Sequence, residues 1–424
     1  MTETDASSAS LRAEVRDWLE ECWDPELSVD DWWRVVAEAG WTAPHFSVEQ
    51  GGRGMERRAE AVVRSTFASF GALRPPGGLG LLMAAPTVLT HGTSEQIERL
   101  VSPILTGQAA WCQLFSEPGA GSDLAGVTTR AERDGDRWIV NGQKVWSSMA
   151  MGSDRGMLVA RTDLGVPKHE GLSWFAFDMD QPGVTVRPLR EMTGQAVFNE
   201  VFLDDAVCEA GDLIGSPGDG WRITQTTLFF ERTGIGAGGA HSAFPGPGAA
   251  GGMLGLRAGD AAKWEPPVSK LTLGYDDVVR LARTHGRSTD PHVRQELARL
   301  YTFSRTGSWN ALRGKAEAER GTGGTVANVG KISQTRIVKT AAHLAADILG
   351  ADAMLSGADG VDGGVYSEAV VFSPASSIYG GTDEIQRNII SERVLGMPRE
   401  PNPDRGKPYG EVLRGRAAGR PGDG

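Results

Sequence analysis

The hydrophobic period of this 424-residue chain changes twice, and that change restricts its fold more than any single motif. Up to about residue 110 the apolar positions recur at three- and four-residue steps. Leu11, Val15, Leu19 and Cys22 share one helical face. VDDWWRVVAEAGW repeats the pattern and stops at Gly40, a normal helix end. EAVVRSTFASFGAL, GLLMAAPTVLTHGT and SEQIERLVSPILTG continue it, with Ser94 before Glu95 and Glu98 as a helix start. From residue 111 the runs become short and β-rich: WCQLFS, DRWIVNGQKVWSS, RGMLVART, LSWFAFDM, GVTVRPL and NEVFLDD. Gly, Asp, Asn and Pro separate them, which predicts an antiparallel β domain, with Asn141-Gly142 as a hairpin turn. After Asp219-Gly220 the helical period returns, from WRITQTTLFFER to TDEIQRNIISERVL. The reading is an α+β chain with a helical domain over 1–110, a β domain over 111–215 and a helical domain over 216–400. The Gly/Ala/Pro-rich stretch 234–255 reads as a mobile loop, and 401–424 as a disordered tail.

Composition removes several function classes. With 43 Lys+Arg against 54 Asp+Glu the formal charge is −11, the wrong sign for a general nucleic-acid binder. Cys22, Cys112 and Cys208 form neither a disulfide framework nor a paired zinc spacing, which fits a reducing compartment and no metal site. No apolar run reaches about 18 residues and the N-terminus lacks a signal pattern, so the expectation is a cytoplasmic protein without a membrane span.

Three stretches carry chemistry. CQLFSEPGAGSD (112–123) ends a β-run in a loop with two glycines, two hydroxyls and two acids. Its backbone N–H groups suit a pyrophosphate or a polar ring edge, although a tight turn between strands has the same composition. It has neither the Gly-Lys-Ser/Thr ending of a triphosphate loop nor the βαβ setting of a dinucleotide fingerprint. NGQKVWSS (141–148) places a Trp among hydroxyls, a residue that taken alone fits a core position as well as a site. YGGTDEIQR (379–387) joins a glycine loop to a helix, with Thr382 as N-cap and acids behind it.

Together these motifs, the run NEVFLDDAVCEAGDLIG and the ending IYGGTDEIQRNIISERVLG resemble the acyl-CoA dehydrogenase family over residues 10–400. The resemblance implies an N-terminal helical domain, a middle antiparallel β-barrel-like domain and a C-terminal four-helix bundle. It also implies FAD as cofactor, α,β-dehydrogenation of an acyl-CoA thioester to the trans-2-enoyl-CoA, and electron transfer to an electron-transfer flavoprotein. By motif position, Gln113, Phe115, Ser116, Gly121 and Ser122 match the loop at the flavin edge, and Ser122 also lies beside the thioester. Trp146 matches the aromatic against one flavin face, and Ser147 and Ser148 the hydroxyl segment near the reactive nitrogen. Arg287 and Thr289 match residues reaching a neighbouring subunit's FAD pyrophosphate, and Thr382 and Glu384 match cofactor contacts. A tetramer follows, homomeric or built with a related chain. Asp347 and Ala351 stand where the family carries Gln and Gly.

The family needs a carboxylate over the substrate's α carbon, at one of two positions. One is the residue after Tyr379, here Gly380, which has no side chain. The other precedes an Arg on a bundle helix, here Glu231-Arg232 in TTLFFERTGIG. Glu231 is therefore the expected base, beside an apolar wall of Leu228, Phe229 and Phe230 that would raise its pKa, while Arg232, if paired directly, would pull it the other way. Gly380 keeps a backbone N–H able to polarise the thioester carbonyl. ERTGIG and the Gly-rich bundle look most like the heteromeric steroid or branched-acyl-CoA group, which leaves a non-catalytic subunit as an alternative. A flavin monooxygenase or oxidase on the same scaffold is another.

Overall fold

The computed structural model describes residues 3–235, 247–264, 272–320 and 326–418. They form two compact units. One holds the described residues up to 189, within 196–266 and from 404 onward; the other holds 190–195 and those within 267–403.

In the first unit the N-terminal helices bury a tryptophan-rich core. Helices Glu3–Cys22, Val29–Glu38 and Arg58–Phe70 enclose Val15, Leu19, Trp32, Trp41 and Phe67. The Trp32 and Trp33 indoles donate to the Leu73 and Arg74 carbonyls, so burial leaves neither N–H unpaired. The helix Ser94–Leu105 starts one residue earlier than Ser94 suggested. Thr93 caps it, in a capping box with Gln96.

The middle segment is one sheet of eight strands: β1 (Trp111–Leu114), β2 (Arg130–Asp134), β3 (Arg137–Ser148), β4 (Arg155–Arg161), β5 (Leu172–Asp178), β6 (Val184–Leu189), β7 (Phe198–Glu209) and β8 (Leu213–Ile214). The order is β6-β7-β3-β2-β4-β5-β8, with β1 on β4. Most pairs are antiparallel as expected, but β1–β4 and β2–β4 are parallel. β4 and β5 read as continuous apolar runs because both faces are covered. Met157, Val159, Trp174 and Ala176 pack with helical Val88, Leu100, Ile104 and Ile223. Leu158, Ala160, Phe175 and Phe177 pack with Trp138, Val140, Val201 and Leu203 of β3 and β7.

Asn141-Gly142 is not the hairpin turn. The β2–β3 turn is Gly135-Asp136, and Asn141-Gly142 lies inside β3 at a register shift against β7. The Asn141 amide donates to the Asp205 carboxylate at 2.9 Å, and its oxygen accepts the Asp205 N–H at 2.9 Å. Asp205 has φ +51°, so the irregularity is stapled from both strands. A Cβ on Gly142 would stand 2.4 Å from Thr129 Oγ1 and 2.8 Å from its Cα, so only glycine fits there.

The helix Gly220–Ile235 belongs to this unit, packed on β5 and the helix Ala85–His91. Thr227 bonds Thr87 at 3.1 Å, and the His91 ring lies 2.9 Å from Thr226 and 3.1 Å from Arg222. Two low-complexity expectations need correction. Of the stretch 234–255, residues 236–246 lie outside the described residues, but 247–255 are tied down. The Asp154 carboxylate accepts the Ala110 and Ala250 N–H groups, Gly248 donates to Gly107, and Met253 is buried. The segment from Pro401 contains a helix, Tyr409–Ala418, whose Tyr409 is buried.

The second unit is a helical bundle. Helices Tyr275–Thr284, Pro291–Glu319, Val326–Leu349 and Val365–Phe372 close on Val278, Leu281, Leu300, Leu344, Ile348 and Tyr366. The short helix Asp383–Ile389 packs on Val326–Leu349.

Candidate active site

In the first unit the predicted residues gather around the junction of β1 and β3. Gln113 is half-buried on β1, and Phe115 follows it into the core. Ser116 is half-buried, and its carbonyl accepts the Val145 N–H at 2.9 Å, which ties the loop to β3 one residue before Trp146. Between Lys144 and Ser147 the β3–β7 register shifts again, and Trp146 has φ +61°. A bulky residue in the left-handed region is a local strain of order 1–3 kcal/mol. The bulge turns the indole outward, where it is 57% exposed and held edge-on by Phe198 at 5.7 Å. Ser148 is half-buried two residues on, just past the bulge. Ser147 is fully buried, and its hydroxyl finds no hydrogen-bond partner among the described residues. Gly121 and Ser122 lie exposed in the loop, and a Cβ on Gly119 or Gly121 would meet nothing.

What holds this loop is a buried ion pair that motif reading passed over. Lys144 is fully buried on β3, and its Nζ donates to Glu117 Oε1 (2.8 Å), the Phe115 carbonyl (3.1 Å) and the Val159 carbonyl (2.8 Å). Glu117 also accepts the Thr128 N–H and hydroxyl and the Thr129 N–H at 2.7–2.9 Å. Burial alone would raise the Glu117 pKa, but Lys144 and these donors hold it down to about 2. Burial pushes Lys144 down, against the pull of Glu117. The sequence marks the two residues only as a Lys inside a β-run and a Glu before Pro-Gly, with nothing in their spacing to pair them.

Glu231 is half-buried near the end of the helix Gly220–Ile235. Leu228 packs against the core, but Phe229 is 54% exposed with its ring edge-on to Phe230, so the expected apolar wall is incomplete within this unit. The Arg232 side chain lies outside the described residues.

In the second unit, Tyr379 leads into Gly380 and Gly381 with φ +64° and +85°. A Cβ on Gly380 would meet nothing, but its backbone favours glycine. Thr382 caps the next helix by accepting the Ile385 N–H at 3.1 Å. Glu384 is exposed and pairs with Arg387. The turn is anchored by Asp383, which accepts the Thr335 hydroxyl at 3.0 Å with Lys331 Nζ at 3.6 Å. Lys331 also donates to the Ser376 carbonyl, and burial lowers its pKa against the pull of Asp383. Arg287 pairs with Asp290 at 2.9 Å, ahead of the helix Pro291–Glu319, and Thr289 is exposed.

The first-unit set fits a flavin. A fixed, exposed indole offers a stacking face, Ser116 and Ser148 border it, and the open Gly119–Gly121 backbone lets a polar group approach.

Comparison with known proteins agrees over most of the chain. Residues 5–108, 112–206 and 272–395 match the N-terminal, middle and C-terminal domain models of acyl-CoA dehydrogenase. A curated relative, "Acyl-CoA dehydrogenase IpdE1" of Mycobacterium tuberculosis (strain ATCC 25618 / H37Rv), is 38% identical over 372 residues, 87% of this chain and 88% of that protein. The solved structure "Tcur3481-Tcur3483 steroid ACAD" aligns with TM-score 0.71 and 25% identity, covering 93% of this chain and 98% of that one. The ChsE4-ChsE5 complex from Mycobacterium tuberculosis shares the fold, with TM-score 0.68 and 23% identity over 94% and 99% of the two chains. With three domain models in order and a full-length relative at this identity, the chain belongs to the acyl-CoA dehydrogenase family.

Proposed function

We propose that this acyl-CoA dehydrogenase binds FAD in its first unit and uses Glu231 as the base in α,β-dehydrogenation. The observation that carries the reading is the Trp146 indole, exposed yet fixed by a left-handed bulge and the Phe198 edge. Strain of that kind persists where the surrounding structure holds a residue for use. FAD, when bound, supplies the acceptor for the two electrons and the hydrogen that leave the β carbon. Trp146 stacks on one face of the ring, while the Ser116 and Ser148 hydroxyls orient its edge. Ser122 meets the thioester end of the substrate. The Glu231 carboxylate takes the α proton, because Gly380 has no side chain to do so. The Gly380 N–H is the proposed donor to the thioester carbonyl. Arg287, Thr289, Thr382 and Glu384 are the proposed contacts to a neighbouring subunit's cofactor, for which Arg287 would give up Asp290 or share it.

The assembly is a tetramer with a related chain or with itself. Tyr301, Trp309 and Leu312 lie exposed on the helix Pro291–Glu319, an apolar run that suits contact with another subunit. The two-chain relatives named above support the heteromeric version, and the one named for steroid supports a bulky polycyclic acyl group as substrate class. The oxidising partner is an electron-transfer flavoprotein. The test is anaerobic titration of the yellow holoprotein with acyl-CoA thioesters of different bulk. Bleaching by one of them supports the reading, and a protein that cannot be reconstituted with FAD, alone or with a partner chain, refutes it.

A further inference from the structure

The tip of the flavin loop, residues 118–123, exposed apart from buried Ala120, is pinned at its start by Glu117 and Lys144. Its far end is pinned by a second buried cation. Arg161, at the end of β4, is 2% exposed. Its guanidinium donates to the carbonyls of Val127 (3.1 Å), Ala125 (2.7 Å) and Lys168 (3.0 Å). Among the described residues no carboxylate stands at hydrogen-bond distance from it, and burial lowers its pKa. What covers it is the ring of Tyr409, 4.0 Å from the guanidinium carbon. The Tyr409 hydroxyl donates to the Gly126 carbonyl at 2.7 Å, so one residue both stacks on Arg161 and holds the same turn. Backbone bonds from Tyr409 to Val166 and from Gly410 to Leu164 seat the arm beside the turn. Lys168, on that stretch, pairs with Asp123 at 2.6 Å, the last residue of the loop tip. The arm lies beyond residue 395, where the match to the family's C-terminal domain ends.

We propose that Tyr409 is a positioning residue for the flavin loop. Stacked on Arg161 and bonded to Gly126, it fixes the 125–127 turn, and through it the placement of Gly121 and Ser122. The link to flavin rests on the reading of the first unit as the FAD site. Loss of Tyr409 frees the 121–127 backbone and quickens FAD release, while the rest of β4 and β5 stays closed.

The experiment compares wild type, Tyr409→Phe, Tyr409→Ala and a chain ending at Pro403 by hydrogen exchange and by FAD dissociation from the full holoprotein. Tyr409→Ala and the truncation should exchange amides 121–127 faster by about tenfold or more, the scale of a desolvated cation–π contact plus a hydrogen bond. FAD release should quicken in step, with β5 exchange unchanged. Tyr409→Phe keeps the stacking and should fall between wild type and Tyr409→Ala. Unchanged exchange at 121–127, equal loosening of the whole unit, or a loosened loop with FAD release at the wild-type rate each overturns the proposal. A wild type that holds no FAD refutes the functional reading and the flavin link with it, and the exchange pattern still decides whether Tyr409 holds the turn.

Discussion

Replacing Glu117 by Gln removes one charge from a fully buried pair and leaves its shape. The carboxylate takes four donors, Lys144 Nζ, Thr128 N–H and hydroxyl, and Thr129 N–H, and its pKa falls from 4.5 to about 2. A depression of that size corresponds to about 3 kcal/mol of stability at neutral pH. The sign is fixed by the direction. The folded pKa lies below the unfolded one, so this stability is present above pH 4.5 and drains as pH falls toward about 2. The side chain is 6% exposed, so solvent screening takes little of it. In Glu117→Gln the Lys144 ammonium stays buried with neutral acceptors only, which costs about 3–5 kcal/mol by comparison with other broken buried pairs. Global unfolding of a two-unit chain is a poor gauge, so the assay is native-state hydrogen exchange at Val145, Thr128 and Thr129. About 3 kcal/mol of lost local stability should speed those amides about 10²-fold. The double variant Glu117→Gln, Lys144→Met should recover part of the loss, because no lone charge remains buried. Exchange within threefold of wild type in Glu117→Gln would show that the pair does not hold the loop.

Trp146→Ala should weaken FAD binding and shift the flavin absorption bands, since a stacked indole contributes roughly 0.5–1.5 kcal/mol beyond its buried area; equilibrium dialysis and visible spectra check this. Gly142→Ala should destabilise the β domain by about 1–3 kcal/mol, because its Cβ meets Thr129 at 2.4 Å on a left-handed backbone, measured as a lower urea midpoint of the sheet. Light scattering of the holoprotein, alone and with a co-expressed related chain, should give a tetramer; a strictly monomeric, fully active flavoprotein contradicts the assembly.

Much of this was legible because local chemistry and final position coincide. The two changes of period located the sheet, and Thr382 with its acids marked a real helix start. Asn141-Gly142 misled because Asn-Gly serves a β-bulge as readily as a turn. The choice was made by Asp205 on a distant strand, and the true turn used Gly135-Asp136. The segment from Pro401 has the composition of a disordered tail, but Tyr409 finds Arg161, and no local pattern announces a partner so far along the chain. Lys144 and Glu117 were hidden differently: their spacing says nothing of a pair, and only the closing of the Ser116 loop on β3 brings them together.

Dehydrogenation of an acyl-CoA through Glu231 is decided by anaerobic stopped-flow reduction of bound FAD with the best acyl-CoA. Wild type should bleach. Glu231→Gln should bind FAD and acyl-CoA yet reduce the flavin slower by about 10²-fold or more, the usual scale of a lost general base. Reduction of Glu231→Gln at the wild-type rate, or a wild-type holoprotein that no acyl-CoA bleaches even with its partner chain, would contradict the claim.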